Sequence, residues 1–257
     1  MQYSDNLFLY EEIMLLALKD EEGTVAAGTM YNYAVAGAII AELLLSQNIV
    51  IEQIRKQTLI SVVNAEQLNC SLIDEWLFKM SVSEKQKTLQ YWVARIASTS
   101  DLKHKVTTQL CQRGILKMDE ETILLLFTRK IYPQINSQPE RLIIDRLKKT
   151  IFTDTDDVDA RTVVLLSLAK SSNILPAIFG KDELKPRKER IERILNGEIY
   201  GKSSRESMKA AVMIASVMPT IMPTIISRST DYHCQANSDT TLPLPRTCPC
   251  SHLPKCG

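Results

Sequence analysis

The chain has 257 residues, 45% of them apolar and 24% charged, with a formal net charge of +1. This composition fits a globular protein of one large or two small domains, and the near-neutral balance excludes a global pull toward nucleic acid or an anionic membrane. Any anion site must therefore be a local patch, and the dominance of helix formers with only 8 glycines predicts a mostly α fold with short β-hairpins.

The first element runs from Leu7 to Leu18 and closes in a charged turn at Gly23. Glu11 and Glu12 fall in its first turn, where acidic side chains oppose the positive end of the helix dipole. Ile13 to Leu18 are apolar nearly all round, so this helix is expected to be buried on most sides. Met30 to Ser46 reads as a second helix, in which Ala34, Gly37, Ala38 and Ala41 leave room for a close neighbour. Ile49–Ile51 and Leu59–Val63 are β-rich runs around the polar stretch 52–58, and read as a hairpin.

Ser71–Met80 and Ser83–Ser98 read as helices, the second capped by Ser83, with Leu89, Trp92, Val93 and Ile96 forming a core-facing stripe. Asp101–Arg113 is a further helix stopped by Gly114. Ile115–Leu116 and Ile123–Phe127 flank the acidic stretch 118–121 and suggest a second hairpin. Glu140–Ile151, Asp159–Lys170, Pro186–Asn196 and Ser203–Met218 complete the helices, with a polar break at 153–157. At Pro219 apolar periodicity vanishes, so the chain divides into a domain over 1–218 and a Pro/Ser/Thr/Cys-rich tail over 219–257 that is expected to be disordered.

No run reaches the ~20 apolar residues that span a bilayer, and Met1–Asp5 lacks the order of a signal peptide, so the body is expected to stay in the cytosol. Cys70 and Cys111 read as unpaired thiols. In the tail His233, Cys234, Cys248, Cys250, His252 and Cys256 are zinc-type donors, but no pair of Cys-x-x-Cys knuckles is present, so no metal is expected. A Gly-rich phosphate loop, a nucleophile elbow and a His-Glu-x-x-His helix are all missing from the sequence; neither enzymatic activity nor a cofactor is expected. Glu11 and Glu12 point ~100° apart on a helix, which suits capping better than a shared proton. Lys185–Arg190 is basic but interleaved with Glu189 and Glu192, and reads as a salt-bridged, solvent-facing helix.

Several segments, in order, resemble one known family. Leu7, Leu9, Glu11, Glu12, Leu15, Leu16, Leu18, Asp20 and Gly23 resemble the opening of the GPP34 (Golgi phosphoprotein 3) family. Val35–Leu43 resembles its Ala-Gly-Ala helix ending in Glu-Leu, and Leu72–Glu75, Trp92–Val93, Gln112–Leu116, Tyr132–Pro133 and Asp159–Leu168 resemble later elements, so the likeness runs from about Leu7 to about Met218. The resemblance implies a single helical domain that binds phosphatidylinositol 4-phosphate as a peripheral membrane protein. In a eukaryote it implies the cytosolic face of the Golgi and a role as adaptor in vesicle trafficking or in retaining glycosyltransferases through their cytosolic tails.

The family's eukaryotic lipid site uses a Trp before the Ala/Gly helix, an Arg just before that helix's Gly, and two Arg three residues apart before the Gly-Ile-Leu turn. By resemblance these positions fall near Ala27 or Gly28, at Ala36, and at Ser100 and Lys103, so only Lys103 keeps a cation. Lys103 and Lys105 are therefore the candidate headgroup-binding residues, with His104 between them and Arg113 and Lys117 farther along. The competing expectation is a winged-helix-like module for nucleic acid or protein, from helix 101–113 followed by a hairpin at 115–127. The near-neutral charge argues against nucleic acid, whose binding requires several neutralised phosphates.

Overall fold

A computed structural model describes residues 7–19, 22–123, 127–199, 201 and 207–219. The chain divides into two units, Met1–Met222 and Pro223–Gly257, and the second lies wholly outside the described residues. With it lie the tail's cysteines and histidines and the expectation of disorder there.

Helix α1 (Leu9–Ala17) is buried at every one of its nine residues. An element that short is marginal in water by itself, so its stability comes from packing on all sides. Around it lie α2 (Tyr31–Leu45) and α7 (Ala160–Ser171), which are themselves mostly buried. In α2 the small residues serve the purpose that their spacing suggested. A β-carbon at Gly37 would come 2.6 Å from Met218 Cε and 2.8 Å from Leu168 Cδ2, so this position is where α2 lets two neighbours in.

Strands β1 (Ile49–Ile54) and β2 (Gln57–Val62) pair from Ile49↔Val62 to Ile54↔Gln57. The polar stretch continues the ladder, and the turn contracts to Arg55 and Lys56. After α3 (Ser71–Ser81), Lys87 and Thr88 add a third strand, β3, to β2. That pairing corrects the expected helix over 83–98: α4 begins at Leu89 and ends at Ala97, and its N-cap is Thr88, whose hydroxyl accepts the Tyr91 N–H, in place of Ser83. The stripe of α4 is as expected, with Leu89, Trp92, Val93 and Ile96 all buried.

Helix α5 (Leu102–Gln112) is followed by the second hairpin, β4 (Asp119–Ile123) and β5 (Phe127–Ile131). Its position is shifted from the expected one. The acidic residues form a strand where a turn was expected, because Glu120 and Glu121 stand opposite Lys130 and Arg129, and opposite charges across a ladder stabilise it. Helix α6 (Gln138–Phe152) precedes α7, whose N-cap Asp159 accepts from the Thr162 N–H and hydroxyl.

A short helix, α8 (Ile174–Phe179), lies in a stretch where the sequence predicts no element; Pro176 sits in its first turn, where a missing N–H costs nothing. Then come α9 (Lys181–Leu184), a 3-10 turn at Lys185–Arg187, α10 (Lys188–Leu195), and a last helix, α11, over 207–219. The architecture is mostly α, with two small antiparallel sheets.

Candidate functional site

Lys103 and Lys105 are two positions apart on α5, about 200° around the helix, so their side chains diverge. The Lys105 ammonium lies 2.9 Å from Glu75 Oε2 on α3 and 3.6 Å from Asp101 Oδ2. Glu75 also holds Lys79 at 2.5 Å. The Lys79 hydrogen bond, with that of Lys105, keeps the Glu75 carboxyl below its ordinary value, and the bond to Glu75 raises Lys105 in turn.

Lys103 turns the other way, toward the second hairpin. Its Nζ sits 5.5 Å from the centre of the Tyr132 ring, within the range of a cation–π contact. Burial pushes the Lys103 ammonium below the ordinary lysine value, and the charge of Arg129 on β5 adds to that. Arg129 is paired across the hairpin with Glu121 at 2.6 Å. The Tyr132 hydroxyl meets His104 Nδ1 at 2.8 Å.

Local backbone chemistry fixes this cluster. Gly23 has φ +58°, and a β-carbon there would fall 2.4 Å from the Tyr132–Pro133 backbone. Only glycine lets the turn after α1 press so closely, and the Tyr132 N–H donates to the Gly23 carbonyl at 3.0 Å. Tyr132 is thereby held under Lys103. The structure thus separates the two predicted lysines and brings Lys103 together with Arg129, Tyr132 and His104.

The positions carried over by resemblance behave differently from one another. Ala27, Gly28 and Ser100 are exposed, and Ser100 stands three residues before Lys103 at the entry to α5. Ala36 is wholly buried in α2. An arginine at 36 could not reach a headgroup without displacing the core, so that substitution cannot rebuild a lipid site in this chain.

A second charged constellation lies deep in the fold. Glu11 on α1 accepts the Phe8 N–H at 2.9 Å, as a capping carboxylate does, and pairs with Arg113 at the end of α5 at 3.0 Å. Glu12 pairs with Arg146 of α6 at 2.5 Å. Glu42 of α2 accepts the Leu9 N–H and takes both ends of the Arg161 guanidinium, at 2.9 and 3.0 Å, while Arg161 also donates to the Leu7 carbonyl. Burial raises the Glu11 and Glu12 carboxyls above the ordinary value, against the pull of Arg113 on one and Arg146 on the other. Each carboxylate has its own guanidinium from a different helix, so the set locks the N-terminus of α1 and leaves no free nucleophile or base. The partners lie far apart in sequence, and the only local sign of them was the pair Glu11–Glu12.

Among the described residues no group of His, Cys, Asp and Glu is placed to hold a metal ion, and no helix is long and apolar enough to cross a membrane. Comparison with known protein families matches residues 9–211 to Golgi phosphoprotein 3 (GPP34), a span from the first turn of α1 into α11. With four fifths of its length covered by that match, the chain belongs to the Golgi phosphoprotein 3 (GPP34) family.

Proposed function

We propose that this protein is a non-catalytic peripheral membrane protein that recognises phosphatidylinositol 4-phosphate through the Lys103 cluster. In a eukaryotic cell it would act at the cytosolic face of the Golgi, as an adaptor in vesicle trafficking or for the cytosolic tails of glycosyltransferases. The observation that carries this reading is the half-buried Lys103 ammonium over Tyr132 with Arg129 beside it. Arg129 is already held by Glu121, so Lys103, which has no ion-pair partner among the described residues, is the cation of this cluster that an approaching phosphate would meet. Lys105 contributes more distantly, because Glu75 and Asp101 already neutralise it. The hairpin does not favour the nucleic-acid alternative: its cations are matched by Glu120 and Glu121 across the ladder.

One lysine near an anionic surface contributes about 1 kcal/mol, and its attraction is screened within ~8–10 Å at physiological salt. Binding should therefore be weak and salt-sensitive. Flotation on phosphatidylcholine vesicles with and without phosphatidylinositol 4-phosphate tests it. Lys103→Ala should reduce lipid-dependent flotation about fivefold. Ser100→Arg, which restores a family arginine at an exposed position, should increase it. Equal flotation of wild type and Lys103→Ala, with no gain from Ser100→Arg, would remove the site from this position.

A further inference from the structure

A groove of about 250 Å³ lies between α8, α9 and the start of α10. Leu175, Pro176, Leu184 and Ile191 form its apolar floor, and Lys170, Lys181, Lys185 and Lys188 surround it. Positions 181, 184, 185, 188 and 191 follow the i, i+3, i+4, i+7 pattern of a helical face turned to the core. On this face three of the five positions are lysines. A seam that would ordinarily close over apolar side chains is instead an open trough with a cationic edge.

Three of the four lysines on that edge have no ion-pair partner among the described residues. Lys170 is paired with Glu192 at 2.5 Å. Lys181, Lys185 and Lys188 are exposed and take part in no ion pair among the described residues. Of the segment's acids, Glu192 goes to Lys170 and Glu198 to Arg193, while the exposed Asp182, Glu183 and Glu189 make no ion pair with these lysines. The expected salt-bridged, solvent-facing helix is met in part: Arg187, Glu192 and Arg193 are in ion pairs, whereas Lys185, Lys188 and Glu189 are exposed without one. The arginines are also spent: Arg190 donates to the Thr150 and Thr155 carbonyls, and Arg187 faces Asp154. What remains for a ligand is three compact ammonium charges beside an apolar strip, without the planar fork that selects one carboxylate or phosphate geometry.

We propose that this groove is a second membrane contact that takes an anionic glycerophospholipid from the bilayer, with the headgroup among Lys181, Lys185 and Lys188 and an upper acyl segment on Leu184 and Ile191. Long lysine side chains beside apolar surface suit a bilayer interface, where the stem lies against the chains and the ammonium reaches the headgroups. The groove is smaller than the sites that enclose a drug-sized molecule, roughly 300–1,000 Å³, so it holds part of a lipid whose remainder stays in the membrane. The inference rests on the reading that the protein works at an anionic bilayer, yet none of its residues belongs to the Lys103 cluster.

The test uses the full chain and phosphatidylcholine vesicles carrying phosphatidylserine with a photoactivatable acyl chain, and no phosphoinositide. Reversing two exposed lysines, Lys185→Glu with Lys188→Glu, should lower flotation by about tenfold or more, since each lysine near such a surface is worth about fivefold. Illumination should attach lipid within 175–191 in the wild type and in Lys103→Ala, and not in the double reversal. Unreduced flotation of the double reversal, or adducts confined to other segments, would overturn the proposal. So would binding of an acidic leucine-anchored peptide that needs Lys185 and Lys188 while vesicles give no adduct there; the groove would then serve a protein partner. If phosphatidylinositol 4-phosphate adds nothing to flotation while the 175–191 adduct persists, the phosphoinositide reading fails and the groove stands.

Discussion

Arg161 closes on Glu42 with both ends of its guanidinium, across 119 residues of sequence, while Glu42 accepts the first free N–H of α1 from Leu9. One carboxylate therefore caps a helix to which it does not belong, and one arginine keeps that carboxylate in place. Arg161→Ala would leave Glu42, with 6% of its side chain exposed, short of two hydrogen bonds and its guanidinium partner. The expected loss is about 3 kcal/mol, the lower end for breaking a buried pair because the arginine keeps part of its surface in water. Arg161→Lys should recover only part of it, lacking the two-pronged geometry. Urea midpoints of the three proteins decide the matter; equal midpoints would show that the pair contributes nothing.

The buried acids give stability a definite pH dependence. Glu11 and Glu12 titrate above the ordinary value of 4.5, chiefly from burial. A group that holds its proton more tightly when folded contributes stability that is complete below its unfolded value and lost as pH rises through its folded one. Acidification from neutrality toward 4.5 should therefore strengthen the fold through these two residues. Glu75, held low first by its hydrogen bond to Lys79, acts oppositely: its contribution is present above 4.5 and lost as pH falls through its folded value. Glu12→Gln should flatten the slope of unfolding free energy on the side above pH 4.5. An unchanged slope would mean that Glu12 is ionised throughout.

Trp92 is 6% exposed and meets Tyr91 edge-to-face at 5.2 Å. It is part of the core and not a membrane anchor. Trp92→Ala should cost about 3–5 kcal/mol. A wild-type denaturation midpoint combined with weaker vesicle binding would reverse that assignment.

Helix α11 belongs to the folded body, because Met208, Ala211, Ile214, Ala215 and Met218 are all buried. Removal of 220–257 should leave the melting temperature nearly unchanged, whereas removal of 207–257 should cost roughly 5 kcal/mol in lost apolar burial. Calorimetry on the two truncations separates them, and a large drop in the first would place the end of the chain in the fold.

Elements whose signals are local could be read from the sequence. Helix α7 has its Asp159 cap and its long apolar run within a few residues of each other, and α2 declares itself by small residues at helical spacing. Errors arose where a distant partner decides. Ser83 and Thr88 are equally good caps on paper, and the ladder to β2 chose Thr88. The second hairpin slid along the chain because cross-strand charge pairs, invisible in one dimension, made a strand of residues 119–121. For the same reason Lys103 was found from sequence but its neighbours Arg129 and Tyr132 were not: they come from another element, delivered by the contact at Gly23.

The isolation of α1 from its own neighbourhood has a consequence during synthesis. Its acids are answered by Arg113, Arg146 and, through Glu42, Arg161, so the ribosome must add all three before the first helix has a complete setting. At ~5–20 residues per second the apolar run Ile13–Leu18 waits on the order of ten seconds outside the exit tunnel. The N-terminus is thus the natural recruiting segment for chaperones on the nascent chain. Ribosome-bound chains stalled before Arg161 should be cut by protease within α1, and chains stalled well beyond α7 should resist; early resistance would show that α1 finds shelter without them.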